Sequence, residues 1–175
     1  MRILSLLRHA KSVWDAPVAR DFDRPLNARG RKAARAMGRE MKRLRLDFDH
    51  VLASPAARVT ETIEGLEEEY GPLAAEYDER FYLASAETLL EIVRAAGDSQ
   101  RRLLLLGHNP GMEQLALLLG RSGEMRERIA AKYPTGALAE ISFDLASWRD
   151  VTAGAGRLER FLRPRDLDPA LGPER

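Results

Sequence analysis

Four consecutive leucines, Leu103 to Leu106, follow a pair of arginines and run into Gly107. A short, uninterrupted apolar run of this kind suits a strand buried on both faces, as in a parallel sheet covered by helices on both sides. The opening run, Met1 to Leu7, and a shorter one at Val51-Leu52-Ala53 read the same way. Segments of helical periodicity separate these runs. Alternating strands and helices imply a mostly parallel sheet between two helical layers, and 175 residues suit one such domain with one core.

Asn27 is placed to cap a long helix in which Ala33, Ala34, Met37, Met41 and Leu44 recur at helical spacing. The other face of that helix carries Arg29, Arg31, Lys32, Arg35, Arg39, Lys42 and Arg43, which reads first as a solvated face and second as a surface attracting an acidic partner. Pro55 suits the first turn of a second helix, with Ser54 as its cap, and Gly71-Pro72 ends it. Leu73 to Leu83 suits an extended segment. Ser85 caps a third helix that Gly97 ends, and a fourth follows Gly111. Ala137 to Phe143 and Leu158 to Leu162 suit antiparallel neighbours at a sheet edge. The expected architecture is a single three-layer α/β/α domain over residues 1–163, mostly parallel with an antiparallel edge. A surface tail at 164–175, with three prolines, is expected to lie along the surface or fray.

Composition removes several functions. The chain has no cysteine, so thiolate nucleophiles, disulfides and Cys-ligated metals are excluded. A formal net charge of +1 advertises no nucleic-acid footprint. No run is long enough to span a membrane, and no signal peptide is recognisable, so the cytoplasm is the expected compartment. No close ligand spacing such as His-x-x-x-His suggests a metal, and no cofactor is expected.

Two of the three histidines end strand-like runs: Leu6-Leu7-Arg8-His9 and Leu105-Leu106-Gly107-His108. Parallel strands bring such ends to one edge, where α/β sheets bind ligands. The Val51-Leu52-Ala53 run ends there too and hands over to a helix bearing Arg58. Two imidazoles and two guanidinium groups can therefore converge. Guanidinium forks match phosphate oxygens. A neutral imidazole can attack phosphorus to give a covalent phosphohistidine, while a protonated one can stabilise phosphoryl charge. Singly, each residue has a plainer reading: His9 as a satisfied strand-end histidine, His108 as a helix cap, Arg58 as a partner of Glu61 or Glu64. His50 has no companion and reads as structural; Trp14 and Trp148 read as core or lid packing.

Taken in order, Leu7-Arg8-His9-Ala10-Lys11, Ser54-Pro55-Ala56-Ala57-Arg58-Val59-Thr60-Glu61-Thr62 and Gly107-His108-Asn109-Pro110-Gly111 resemble the three signatures of the histidine phosphatase, or phosphoglycerate-mutase-like, superfamily. The resemblance extends from Met1 to about Phe161 and is strongest to the SixA-type phosphohistidine phosphatases. It implies His9 as the phosphorylated nucleophile, with Arg8, Arg58 and His108 completing the phosphate pocket. Ala10 replaces a glycine common in the family. Asn27 and Asn109 are expected beside the phosphate, although Asn27 could serve only as a cap. A general acid is expected at Glu79, with Asp78 as the second choice; Glu79 could equally be an exposed loop charge. The implied activity is a metal-independent phosphatase acting on a phosphohistidine-containing protein. The alternatives are a phosphatase of small phosphomonoesters, a phosphomutase, and a phosphate-binding module without turnover.

Overall fold

The computed structural model describes residues 1–15, 17–18 and 20–173. Its strands are β1 (Arg2–Arg8), β2 (His50–Ala53), β3 (Glu76–Tyr77), β4 (Arg102–Gly107), β5 (Leu138–Phe143) and β6 (Arg157–Leu162). They form one sheet in the order β3-β2-β4-β1-β5-β6. The first four in that order run parallel, β5 runs antiparallel to β1, and β6 antiparallel to β5. The helices are α1 (Ala28–Arg43), α2 (Ala57–Tyr70), α3 (Ala86–Arg94), α4 (Gly111–Leu119), α5 (Glu124–Ala131) and α6 (Pro164–Leu167). Among the described residues no helix is long and apolar enough to cross a membrane.

The leucine run forms the strand between β2 and β1, and its alternation divides the core. Leu103 and Leu105 join Leu4, Leu6 and the apolar faces of α3 and α4 on one side. Leu104 and Leu106 join Leu7, Val51 and the apolar residues of α1 and α2 on the other. All four leucines are fully buried. Each contributes about 1.5–3 kcal/mol by leaving water, so neither face could be given up to solvent.

Asn27 caps α1 by accepting the Gly30 N–H at 2.8 Å, and Ser85 caps α3 by accepting that of Thr88 at 3.1 Å. α1 and α2 cross in backbone contact. A Cβ on Gly38 would lie 2.4 Å from the Leu66 carbonyl oxygen, and one on Gly65 would lie 2.6 Å from the Ala34 Cβ. This close crossing lets the basic face of α1 reach the acidic residues of α2. Arg31 pairs with Glu61, Arg35 with Glu68 and Arg39 with Glu69, while Arg43 pairs with Glu40 on its own helix. Much of the charge that read as a solvated face or an acidic-partner surface is therefore matched internally. Exposed pairs of this kind are worth up to about 1 kcal/mol each.

Three local expectations are corrected. Ser54 does not cap α2: the helix starts at Ala57, its cap position is Ala56 with no side-chain bond, and the Ser54 hydroxyl turns to His108 instead. The segment from Leu73 to Leu83 is extended only at β3 and then coils into a 3-10 turn, Glu79–Phe81, capped by the Asp78 side chain. α3 stops at Arg94, short of Gly97. Beyond β6, the chain folds as α6 and a 3-10 turn, Pro169–Leu171, against α1, and the Gly172 carbonyl accepts a bond from Arg29 at 2.6 Å. Trp148 is fully buried, whereas Trp14 is exposed with the Arg24 guanidinium 4.3 Å from its ring centre.

Candidate functional site

Register explains why residues so distant in sequence can meet. Arg8 pairs with Gly107 across β1 and β4, and Ala53 pairs with Leu106 across β2 and β4. The three carboxyl ends are level. The chains leaving them are tied by backbone bonds: His9 N–H to the Gly107 carbonyl at 3.1 Å, and Ser54 N–H to that of Leu106 at 3.1 Å. From the other side Gly136 N–H reaches the carbonyls of Arg8 and His9 at 3.0 and 2.9 Å, which fixes the Pro134-Thr135-Gly136 segment beside them.

Arg8, His9, Arg58, His108 and Asn109 line one cleft of about 380 Å³, with Lys11, Asp21, Arg24 and Thr135 also in its wall. The rings of His9 and His108 lie 5.3 Å apart, tilted at 56°. Arg58 enters from the first turn of α2 and is 2% exposed; His9 is 6% exposed and His108 3%.

The His9 Nδ1 lies 2.7 Å from the Ala10 carbonyl oxygen. A carbonyl can only accept, so Nδ1 carries the hydrogen and Nε2 keeps its lone pair. Burial, reinforced by the charges of Arg8 and Arg58, holds the ring well below its ordinary value, and it is neutral. These are the properties of an imidazole nucleophile. The Ala10 N–H is itself tied to the Thr62 hydroxyl at 3.0 Å, which anchors the orienting carbonyl.

His108 differs from expectation. Burial, with the nearby Arg58 charge, pulls it down to about 3, so it is neutral here rather than protonated. Desolvation outweighs the opposing pull of Asp21. A phosphoryl dianion against this ring would act in the opposite sense and favour the charged form. Ser54 Oγ sits 2.8 Å from Nε2 while accepting the Ala56 N–H at 3.2 Å. Ser54 is thus a fully buried partner of His108. The Tyr82 ring meets His108 edge-on, with centres 5.5 Å apart.

Arg58 pairs with neither Glu61 nor Glu64. Its Nη1 donates to the Asp21 carbonyl at 2.9 Å and its Nη2 to the Asp21 carboxylate at 3.0 Å. That carboxylate also accepts from the Tyr82 hydroxyl at 2.7 Å and from Arg24 at 3.2 Å. The Tyr82 bond, followed by Arg58, holds Asp21 at about 2, firmly ionised. Arg8 Nη1 donates to the Tyr133 carbonyl at 2.9 Å, and burial lowers Arg8 from its ordinary value. Asn109 stands in the wall, with its amide nitrogen 3.1 Å from the same carbonyl.

Three buried nitrogens in this wall have no partner among the described residues: the donors Arg8 Nε and Arg58 Nε, and His108 Nδ1, whose role follows the tautomer of the ring. Each such group costs about 1–3 kcal/mol when left unsatisfied. Their concentration around one cleft, with two guanidinium charges, fits a bound oxyanion.

Not every candidate residue comes to the cleft. Asn27 remains the α1 cap and does not line it. Glu79 is exposed on its 3-10 turn, and Asp78 is engaged with Arg80 at 2.7 Å; neither lines it. The lining carboxylate is Asp21, from the loop between β1 and α1, where no periodicity or capping pattern marks it out. Ser54, Tyr82 and Tyr133 were likewise not singled out as site residues by their patterns: the first resembles a helix cap and the others ordinary aromatic packing.

Comparison with known proteins agrees with this geometry. The family model for the histidine phosphatase superfamily (branch 1) matches residues 4–142. An uncharacterized protein of Mycobacterium tuberculosis is 34% identical over 165 residues, spanning 91% of this chain and 100% of its own. Among solved structures, a provisionally assigned phosphohistidine phosphatase SixA from Agrobacterium tumefaciens is 31% identical. It has a TM-score of 0.77, with 93% of this chain and 98% of that one covered. A similarly assigned SixA from Nakamurella multipartitia superposes with a TM-score of 0.80 at 25% identity, covering 93% and 96%. The matched region spans all three signatures, from Arg8 and His9 through Arg58 to His108, on the phosphoglycerate-mutase-like α/β fold. The chain therefore belongs to the histidine phosphatase superfamily, and it is a phosphatase.

Proposed function

We propose that this phosphatase works through a covalent phosphohistidine on His9, without a metal, and that its substrate is a phosphohistidine-containing protein. The observation that carries this reading is the orientation of His9: Nδ1 is held by the Ala10 carbonyl and Nε2 is left as the basic atom in a wall of phosphate-binding donors. In the first step the Nε2 lone pair forms a bond to phosphorus as the bond to the leaving group breaks, and the leaving atom takes that electron pair. Arg8, Arg58 and His108 stabilise the charge on the phosphoryl oxygens, the role a metal fills elsewhere. Water then attacks phosphorus, the Nε2–P bond breaks, and inorganic phosphate departs.

Leaving-group chemistry supports a P–N substrate. An ester leaves as an alkoxide unless an acid protonates it. The carboxylate in the cleft wall, Asp21, is ionised and clamped by Arg58. A protonated phosphoimidazole needs no such acid, since it departs as neutral imidazole whose conjugate acid has a pKa of about 6.5. The provisional SixA assignment of the Agrobacterium structure agrees with this choice.

A turnover panel tests the reading. A phosphohistidine protein is expected to exceed sugar and nucleoside phosphates by at least about 10²-fold in kcat/KM, the scale of a missing acid. A short pulse with the labelled protein should leave acid-labile label on His9. Preference for sugar esters by the same margin would overturn the substrate, and absence of label under single-turnover conditions would overturn the covalent step.

Glu79 provides a second check. Glu79→Gln is expected to leave turnover of both a phosphohistidine protein and an alkyl phosphate within about threefold of the parent. A working general acid would cost about 10²–10⁴ with the alkyl ester, and that result would restore Glu79 to the site.

A further inference from the structure

Beside the catalytic cleft lies a second cavity, of about 240 Å³, that shares Arg8, Lys11 and Thr135 with it. Its other charged walls come from three separate places: Arg29 in the first turn of α1, Lys132 just after α5, and Arg165 in α6. Five cations thus surround a space smaller than most ligand pockets, and no described carboxylate lines it. None of the five forms a salt bridge with a described residue, although Arg8 feels a described carboxylate, Glu113, which acts from outside the cavity wall. On the neighbouring face of α1, by contrast, Arg31, Arg35, Arg39 and Arg43 all face acidic groups, as does Arg58 in the cleft. Like charges held together without counter-charge raise the energy of the fold unless an anion joins them. Arg29 and Arg8 are also fixed in place by bonds to the Gly172 and Tyr133 carbonyls, at 2.6 and 2.9 Å.

We propose that this annex binds a second anionic group of the substrate, an acidic side chain lying near the phosphohistidine on the phosphoprotein. The inference rests on the phosphatase reading above and refines it. The shared wall makes the two sites continuous, so one partner can fill both: its phosphoryl group against His9 and its carboxylate past Arg8 and Lys11. The annex is too small for a folded element and suits one or two side chains. Its charge would act mainly on encounter and on KM, since the annex cations other than Arg8 and Lys11 lie outside the catalytic wall.

The test compares phosphohistidine peptides that carry Asp or Glu at successive flanking positions with peptides carrying Ala or Lys there. Acidic peptides are expected to gain about tenfold in kcat/KM at low salt, mostly through KM, with the gain shrinking as salt rises. Lys132→Ala/Arg165→Ala, and separately Lys132→Glu, should abolish the gain while leaving turnover of a small aryl phosphate unchanged. Aryl phosphate turnover without any preference for acidic flanks would overturn the annex and leave the phosphatase reading intact. A gain confined to an alkanediol bisphosphate over its monophosphate, with none for acidic peptides, would overturn the protein source of the anion. If aryl phosphate turnover itself is missing, the phosphatase mechanism fails. The annex is then decided by peptide binding to the parent and to the Lys132→Ala/Arg165→Ala protein: an affinity difference of about tenfold for acidic over neutral peptides supports it, and equal affinities overturn it.

Discussion

His9→Ala is expected to lower turnover of an aryl phosphate by about 10⁴–10⁶, the scale seen when a covalent nucleophile is lost. The reason lies in the orientation described above. The neutral ring offers Nε2 to phosphorus, and among the described residues no second nucleophile of comparable strength lines the cleft: His108 has one nitrogen against Ser54 and the other buried. The variant should fold, because alanine at a strand end removes one ring from a polar wall and leaves the Gly136 and Gly107 backbone bonds in place. Stopped assays over hours, alongside a thermal melt, check this. Activity within tenfold of the parent would end the covalent mechanism.

The second large effect concerns Arg58. Arg58→Ala is expected to reduce kcat/KM by about 10³-fold, the lower range for an arginine that stabilises phosphoryl charge. Arg58→Lys should recover little of it, because an ammonium cannot reproduce a fork that holds Asp21 through two nitrogens. The substitution removes one of the three partners of the Asp21 carboxylate; its pKa should rise only in part, because the Tyr82 and Arg24 bonds remain. In these variants the activity lost should therefore show in kcat as well as KM. A change restricted to KM would assign Arg58 to ground-state binding alone.

The elements that were legible in the sequence were those whose signal is local. The leucine run declared a strand buried on both sides because no other short element suits four such residues in a row. Asn27 and Ser85 declared helix starts because a side-chain oxygen three residues before an orphan N–H does the same work in any fold. The pairing of Arg8-His9 with His108 was legible because parallel strands bring like ends to like edges. What stayed hidden depends on contacts across the chain. Ser54 has the sequence setting of a cap, yet its hydroxyl faces His108, and only the register of β2 against β4 determines that. Asp21 reaches Arg58 from a loop whose path follows no period. Glu79 follows a strand as an acid of the family would, but β3 lasts two residues, and the 3-10 turn that follows leaves Glu79 exposed.

The bond between His9 and the Ala10 carbonyl has a bearing on proton traffic over a whole catalytic cycle. A main-chain oxygen is too weak a base to take the Nδ1 hydrogen, so the ring can enter the reaction, carry the phosphoryl group and be discharged without exchanging that proton. Since the acceptor belongs to the peptide backbone, no single replacement at position 10 other than one that moves the chain can take it away. Acid would reach the attacking atom only by protonating Nε2, which burial of the ring opposes; pH otherwise acts through the ionisation of the incoming phosphoryl compound.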